Sequence, residues 1–212
     1  MDRLCGFLKG ALGGLALAVL LASHSQGAEC RIAVLGDSLA AAYGLDVADG
    51  FPAQLEQSLR TRGYDCVVLD YGVSGDTSAG GLARLDWTLA DQPSHMILEL
   101  GGNDGLRGLP TEQMEDNLDR IITRLQEEQI PVLLTGMLPP PNLGRDYTAA
   151  FATVFADLAD KHDVPLYPFF LGGVAGEVDL NQNDGIHPTA RGVEIIVQRI
   201  LPTVTSWLDA TS

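Results

Sequence analysis

Short apolar runs alternate with amphipathic stretches five times along this chain, and that alternation is what most restricts its fold. The apolar runs cover 32–35, 67–69, 96–100, 132–134 and 165–170, each bounded by turn residues, and they have the character of buried strands. Helical patterning occupies 51–62, 77–91, 111–129, 146–161 and 188–209. In the third of these, Met114, Leu118, Ile121, Ile122 and Leu125 form one stripe behind Thr111, the expected N-cap. A β-α unit repeated in this way predicts an α/β fold, with a five-stranded parallel sheet covered on both faces by helices. No internal repeat, low-complexity tract or interdomain linker interrupts the pattern, and Pro139-Pro140-Pro141 is short enough to be one stiff loop.

The first 28 residues stand apart. Arg3 and Lys9 make a basic start, Ala11 to Ala22 is an apolar stretch too short to span a bilayer, and Ser25-Gln26-Gly27-Ala28 offers small residues for cleavage. We therefore expect 1–28 to be a cleaved signal peptide and 29–212 to be a single domain, periplasmic or secreted, without stable membrane insertion. Cys30 follows Glu29 rather than a small residue, which argues against a lipid-modified cysteine. Loss of Cys5 with the leader leaves Cys30 and Cys66, an even count in a compartment that permits disulfides. The formal net charge of −15 makes nucleic acid an unsuitable partner.

Polar and glycine residues gather where the strands end. Ser38 lies in Gly36-Asp37-Ser38-Leu39 after the first strand, and Gly72 to Ser78 follow the second. Gly101-Gly102-Asn103-Asp104-Gly105 follows the third, and Asp184-Gly185-Ile186-His187-Pro188 precedes the last helix. A parallel sheet opens all such loops onto one edge, where ligands bind. Ser38 supplies a nucleophile, His187 a base to take its proton, and Asp184 a carboxylate spaced to orient the imidazole. The Gly75 backbone and the Asn103 amide are neutral donors able to approach a carbonyl oxygen that becomes negative. Asp184 and His187 lack the further His or Cys ligands a metal site needs, so neither metal nor cofactor is expected.

These four blocks resemble those of the GDSL, or SGNH-hydrolase, family, which supply a Ser, a Gly, an Asn and a His, here Ser38, Gly75, Asn103 and His187. The chain is most similar to the small bacterial periplasmic acyl-thioesterase, arylesterase and lysophospholipase members. The similarity is carried by Gly75-Asp76-Thr77-Ser78, by Gly81 to Leu85, by Glu99 to Gly108 and by Asp184 to Pro188, and spans essentially the whole mature chain. It implies a three-layer α/β/α flavodoxin-like sandwich and a metal-free serine esterase, with Asp184 completing the triad. The oxyanion hole would comprise the Ser38 and Gly75 N–H groups and the Asn103 amide.

With that mechanism, the substrate would be a carboxylic ester or thioester, including lysophospholipid, and the alternative would be a carbohydrate O-deacetylase of the same fold. The low aromatic content, 6%, and the lack of an added domain favour the former. Leu106, Leu109, Pro110, Met137, Leu138 and Ile186 are the expected apolar lining, with Gly105 to Pro110 gating the acyl pocket. Asp37 is expected to anchor its loop, Glu99 to be a buried, hydrogen-bonded carboxylate near the site, and His95 and His162 to be ordinary surface residues. If Ser38 and Gly75 top adjacent strands, counting back to Cys30 and Cys66 brings both to the strand bottoms. Neighbouring strands lie about 4.8 Å apart, and a disulfide is expected there.

Overall fold

A computed structural model describes Met1 and residues 30–211. The expected leader and the boundary at residue 29 lie outside the described residues. Five strands form one parallel sheet: β1 (Cys30–Gly36), β2 (Cys66–Gly72), β3 (His95–Glu99), β4 (Val132–Thr135) and β5 (Leu166–Tyr167), in the order β2-β1-β3-β4-β5. The chain runs outward from β1 to β2, then crosses back and continues through β3, β4 and β5. Right-handed crossovers in opposite directions put the intervening helices on opposite faces. Helix α1 (Phe51–Thr61) packs against α7 (Ala190–Thr211), while α5 (Thr111–Glu127) packs against α6 (Arg145–His162) and the short α2 (Ser78–Ala83). The three-layer arrangement follows.

The central strands are apolar along their middles because both their faces are covered. Ile32, Ala33, Val34, Leu35, Met96, Ile97 and Leu98 are fully buried. The stripe anticipated on α5 is buried as a unit. Thr111, however, is the first helical residue rather than the cap. Pro110 is the N-cap, without a side-chain cap bond, and its carbonyl already accepts the Gln113 and Met114 N–H groups. A helix over 77–91 is likewise corrected to two pieces, α2 and α3 (Leu85–Leu89). Gly80 and Gly81 weaken the helix, and Arg84, between the pieces, turns its guanidinium inward to Asp76 and the Gly36 carbonyl. The expected strand over 165–170 narrows to two residues, since Pro165 and Pro168 on either side cannot donate to a ladder. Gly102–Leu106, expected as loop, forms the short helix α4.

Cys30 and Cys66 are register partners at the starts of β1 and β2 and are joined by a disulfide, with 4.5 Å between Cα atoms. His95 and His162 are not ordinary surface residues. His95 is buried, with its ring between Ser94 Oγ and Thr211 Oγ1 and edge-on to Trp207. His162 joins α6 to Asp119 and Gln126 of α5. Both gain partners from helices distant in sequence.

Candidate active site

The turn after β1 presents Ser38, which is 9% exposed. His187 reaches it from the loop before α7, with 2.8 Å between Nε2 and Ser38 Oγ, and its Nδ1 lies 2.7 Å from Asp184 Oδ2. An ionised carboxylate can only accept, so Nδ1–H donates to Asp184, and Nε2 of the neutral ring accepts the Ser38 hydroxyl. The other Asp184 oxygen accepts the Ile186 and His187 N–H groups at 2.9 and 3.0 Å, which folds the loop around the carboxylate. The His187 bond, then these two, lower the Asp184 pKa to about 2, so it remains ionised near neutral pH.

Two further contacts fix the imidazole. The Tyr43 ring lies against that of His187, with 4.3 Å between centroids. Gln182 donates through Nε2 to the Tyr43 and Pro188 carbonyls and through its backbone N–H to the His187 carbonyl, tying the histidine loop to the segment that follows Ser38. Neither residue carries a local sequence signal, since each acts through a contact with a loop far away in the chain.

The expected oxyanion donors come from adjacent strand ends. Asn103 donates through Nδ2 to Asp37 Oδ2 at 2.9 Å, which leaves one amide hydrogen for another acceptor. Among the described residues, neither the Ser38 nor the Gly75 N–H donates a backbone hydrogen bond. Gly75 has φ +86°, a conformation that costs glycine little, and Arg107 Nη2 donates to its carbonyl at 2.6 Å. That bond links the second and third strand-end loops directly.

Asp37 anchors the turn as expected, since its Oδ1 accepts the Leu39 N–H at 3.0 Å. Burial is the largest influence on its carboxyl and raises its pKa to about 6, against the Leu39 and Asn103 bonds. Glu99 is fully buried, and its Oε2 accepts the Asp37 N–H at 3.2 Å. Burial, then the neighbouring Asp37, raise the Glu99 pKa well above the usual carboxylate range. Close approach also dictates the paired residues Gly36 and Gly72. A Cβ on Gly36 would lie 2.5 Å from Glu99 Oε2 and 2.7 Å from the Ala40 Cβ; one on Gly72 would lie 2.3 Å from the Ala41 nitrogen.

A cavity of about 390 Å³ opens beside Ser38 and Asn103. Leu106, Met137, Leu138 and Ile186 line it, as the sequence suggested, together with Leu39, Phe169, Leu171 and Ala175. Phe169, Leu171 and Ala175 were missed, although they follow β5 and the strand-end argument applies to them as well. Leu109 and Pro110 are not among the lining residues. The turn after α4 carries them away, and the Tyr147 hydroxyl holds the Leu109 carbonyl at 2.8 Å. The anticipated gate thus brings only Leu106 to the cavity.

The GDSL-like lipase/acylhydrolase family matches residues 34–195. Esterase TesA of Pseudomonas aeruginosa is 42% identical over 197 residues, 92% of this chain and 96% of its own. Thioesterase 1/protease 1/lysophospholipase L1 of Escherichia coli K12 is 39% identical over 171 residues, 80% of each chain. The crystal structure of the psychrotrophic esterase EstA from Pseudoalteromonas, inhibited by monoethylphosphonate, superposes with a TM-score of 0.81 at 35% identity. It covers 85% of this chain and all of its own.

Proposed function

The chain belongs to the GDSL-like lipase/acylhydrolase family, and from that premise we propose that it is an exported serine esterase in which Ser38, His187 and Asp184 cleave carboxylic esters or thioesters through an acyl-enzyme. The observation that carries this reading is the relay of 2.8 and 2.7 Å from Ser38 through His187 to Asp184 at the mouth of an apolar cavity. Ser38 Oγ attacks the acyl carbonyl as its proton passes to His187 Nε2, and Asp184 stabilises the imidazolium that results. The Ser38 and Gly75 N–H groups and the free amide hydrogen of Asn103 serve the oxyanion. His187 returns the proton to the departing alcohol or thiol. It then activates water, which releases the acid and regenerates Ser38.

Leu106, Met137, Leu138, Phe169 and Ile186 would hold the acyl chain, and each methylene moved out of water contributes about 0.8 kcal/mol. On p-nitrophenyl esters, kcat/KM should climb from acetate towards medium chains until the cavity is full. Lysophospholipid should be cleaved, acetylated xylan poorly. Leu106→Ser should penalise octanoate several-fold more than acetate. A wild-type preference for acetyl, or equal losses on both esters, would reject the acyl cavity. Failure of a phosphonate ester to label Ser38 would reject the mechanism.

A further inference from the structure

The Glu99 carboxyl is charged or polar matter placed where the sheet is otherwise apolar, at the end of β3 and opposite Gly36 in the parallel register. It occupies the space a Gly36 side chain would fill. From there its Oε2 accepts the N–H of Asp37, while Asp37 Oδ1 takes the N–H of Leu39. The two N–H groups that flank Ser38 in the chain are thereby committed to carboxyl oxygens. Between them lies the Ser38 N–H, the donor that the esterase reading assigns to the oxyanion. Glu99 also lies four residues before Asn103, so one side chain connects the strand that delivers the nucleophile to the strand that delivers the amide.

We propose that Glu99 is a positioning residue for acyl transfer, accepting the Asp37 N–H of the nucleophile turn so that Ser38 Oγ and the Ser38 N–H face the substrate together. The inference rests on the esterase reading and concerns a residue that touches no reacting atom. The charged or titratable groups near the Glu99 and Asp37 pair are Asp76, the Arg84 guanidinium bonded to Asp76 and the Gly36 carbonyl, and His187 beyond Ser38. Burial first, then the neighbouring Asp37, raise the Glu99 pKa and favour the protonated form. Only an accepting oxygen at this reach is required of it, and no negative charge.

Three variants separate this role from simple filling of space: Glu99→Gln keeps the acceptor, Glu99→Asp withdraws it by one methylene and Glu99→Leu removes it. The readouts are kcat and KM on p-nitrophenyl butyrate across pH, the rate at which a phosphonate ester labels Ser38, and thermal unfolding. Glu99→Gln should stay within about threefold of wild-type kcat with an unchanged pH profile. Glu99→Asp and Glu99→Leu should lose about 10- to 100-fold in kcat at nearly constant KM, the scale of a misaimed nucleophile, and label more slowly in parallel. Wild-type kcat in a folded Asp or Leu variant would overturn the proposal, as would a loss in Glu99→Gln as large as in Glu99→Leu. If the Leu variant does not fold, the contrast between Gln and Asp decides. A wild-type enzyme that neither hydrolyses esters nor takes the phosphonate would instead fail the esterase reading itself.

Discussion

At the N-terminal ends of the strands, Cys30 and Cys66 are covalently joined, and His95 is held between Ser94, Thr211 and Trp207. A groove of about 750 Å³ at that end is lined largely by Pro131, Val132, Val164, Pro165 and Trp207. At the C-terminal ends, the same strands deliver two buried carboxyls with raised pKa, a left-handed Gly75 and a serine bonded to a histidine. Buried carboxyls and preorganised donors weigh against stability, and a crosslink at the far end offsets that without touching the chemistry.

Variants at the two ends should therefore separate activity from stability. The largest effect belongs to the C-terminal edge. Ser38→Ala or His187→Ala should lower kcat about 10⁴-fold or more, and Asn103→Ala about 10²–10³-fold, with unfolding midpoints close to wild type. Appreciable turnover in the Ser38 variant would break the division at its strongest point. At the other end, Cys30→Ala/Cys66→Ala should cost roughly 3–4 kcal/mol in denaturant unfolding, as loop entropy gives for a 36-residue separation. Its kcat/KM at 25 °C should remain within about twofold of wild type; a large loss would mean that the crosslink also shapes the site.

A smaller effect sharpens the comparison through pH. Burial raises the Asp37 pKa to about 6 in the folded chain, above the ordinary carboxylate value of 3.8. The native state therefore binds more protons between those values. The contribution of this group to stability is full below about pH 4 and falls away as pH rises to about 6. Asp37→Asn should flatten that slope in urea unfolding and raise stability at pH 8 by about 1–3 kcal/mol. It should also lower kcat, because the acceptor that orients Asn103 is altered. An unchanged slope would show that the strain lies elsewhere.

Much of this was legible in the sequence because it is written in local pattern. The five apolar runs, the stripe on α5 and the three polar strand ends needed only periodicity and turn residues, and the disulfide followed from counting down two strands. What escaped depends on contacts between loops far apart. Tyr43 against His187, Gln182 across both loops and Arg107 on the Gly75 carbonyl have no periodic signature. Leu109 and Pro110 were misplaced because their apolar character was visible and the turn after α4 was not. The break at Arg84 was hidden for a related reason: a surface-type residue left its helix to bond Asp76 and Gly36.

Gly36 and Gly72 lie side by side where β1 and β2 end, and the missing Cβ of each would intrude on the nucleophile turn. A drift to alanine at either position adds one methyl group, no charge and no new hydrogen-bonding group. It would nonetheless push on Glu99 and Ala40, or on the backbone at Ala41, and rotate Ser38 away from His187. In a mutational survey, these two positions should score with the triad as intolerant, although the atoms they lack would never have met the ester. The empty space they preserve belongs to the working parts of the enzyme.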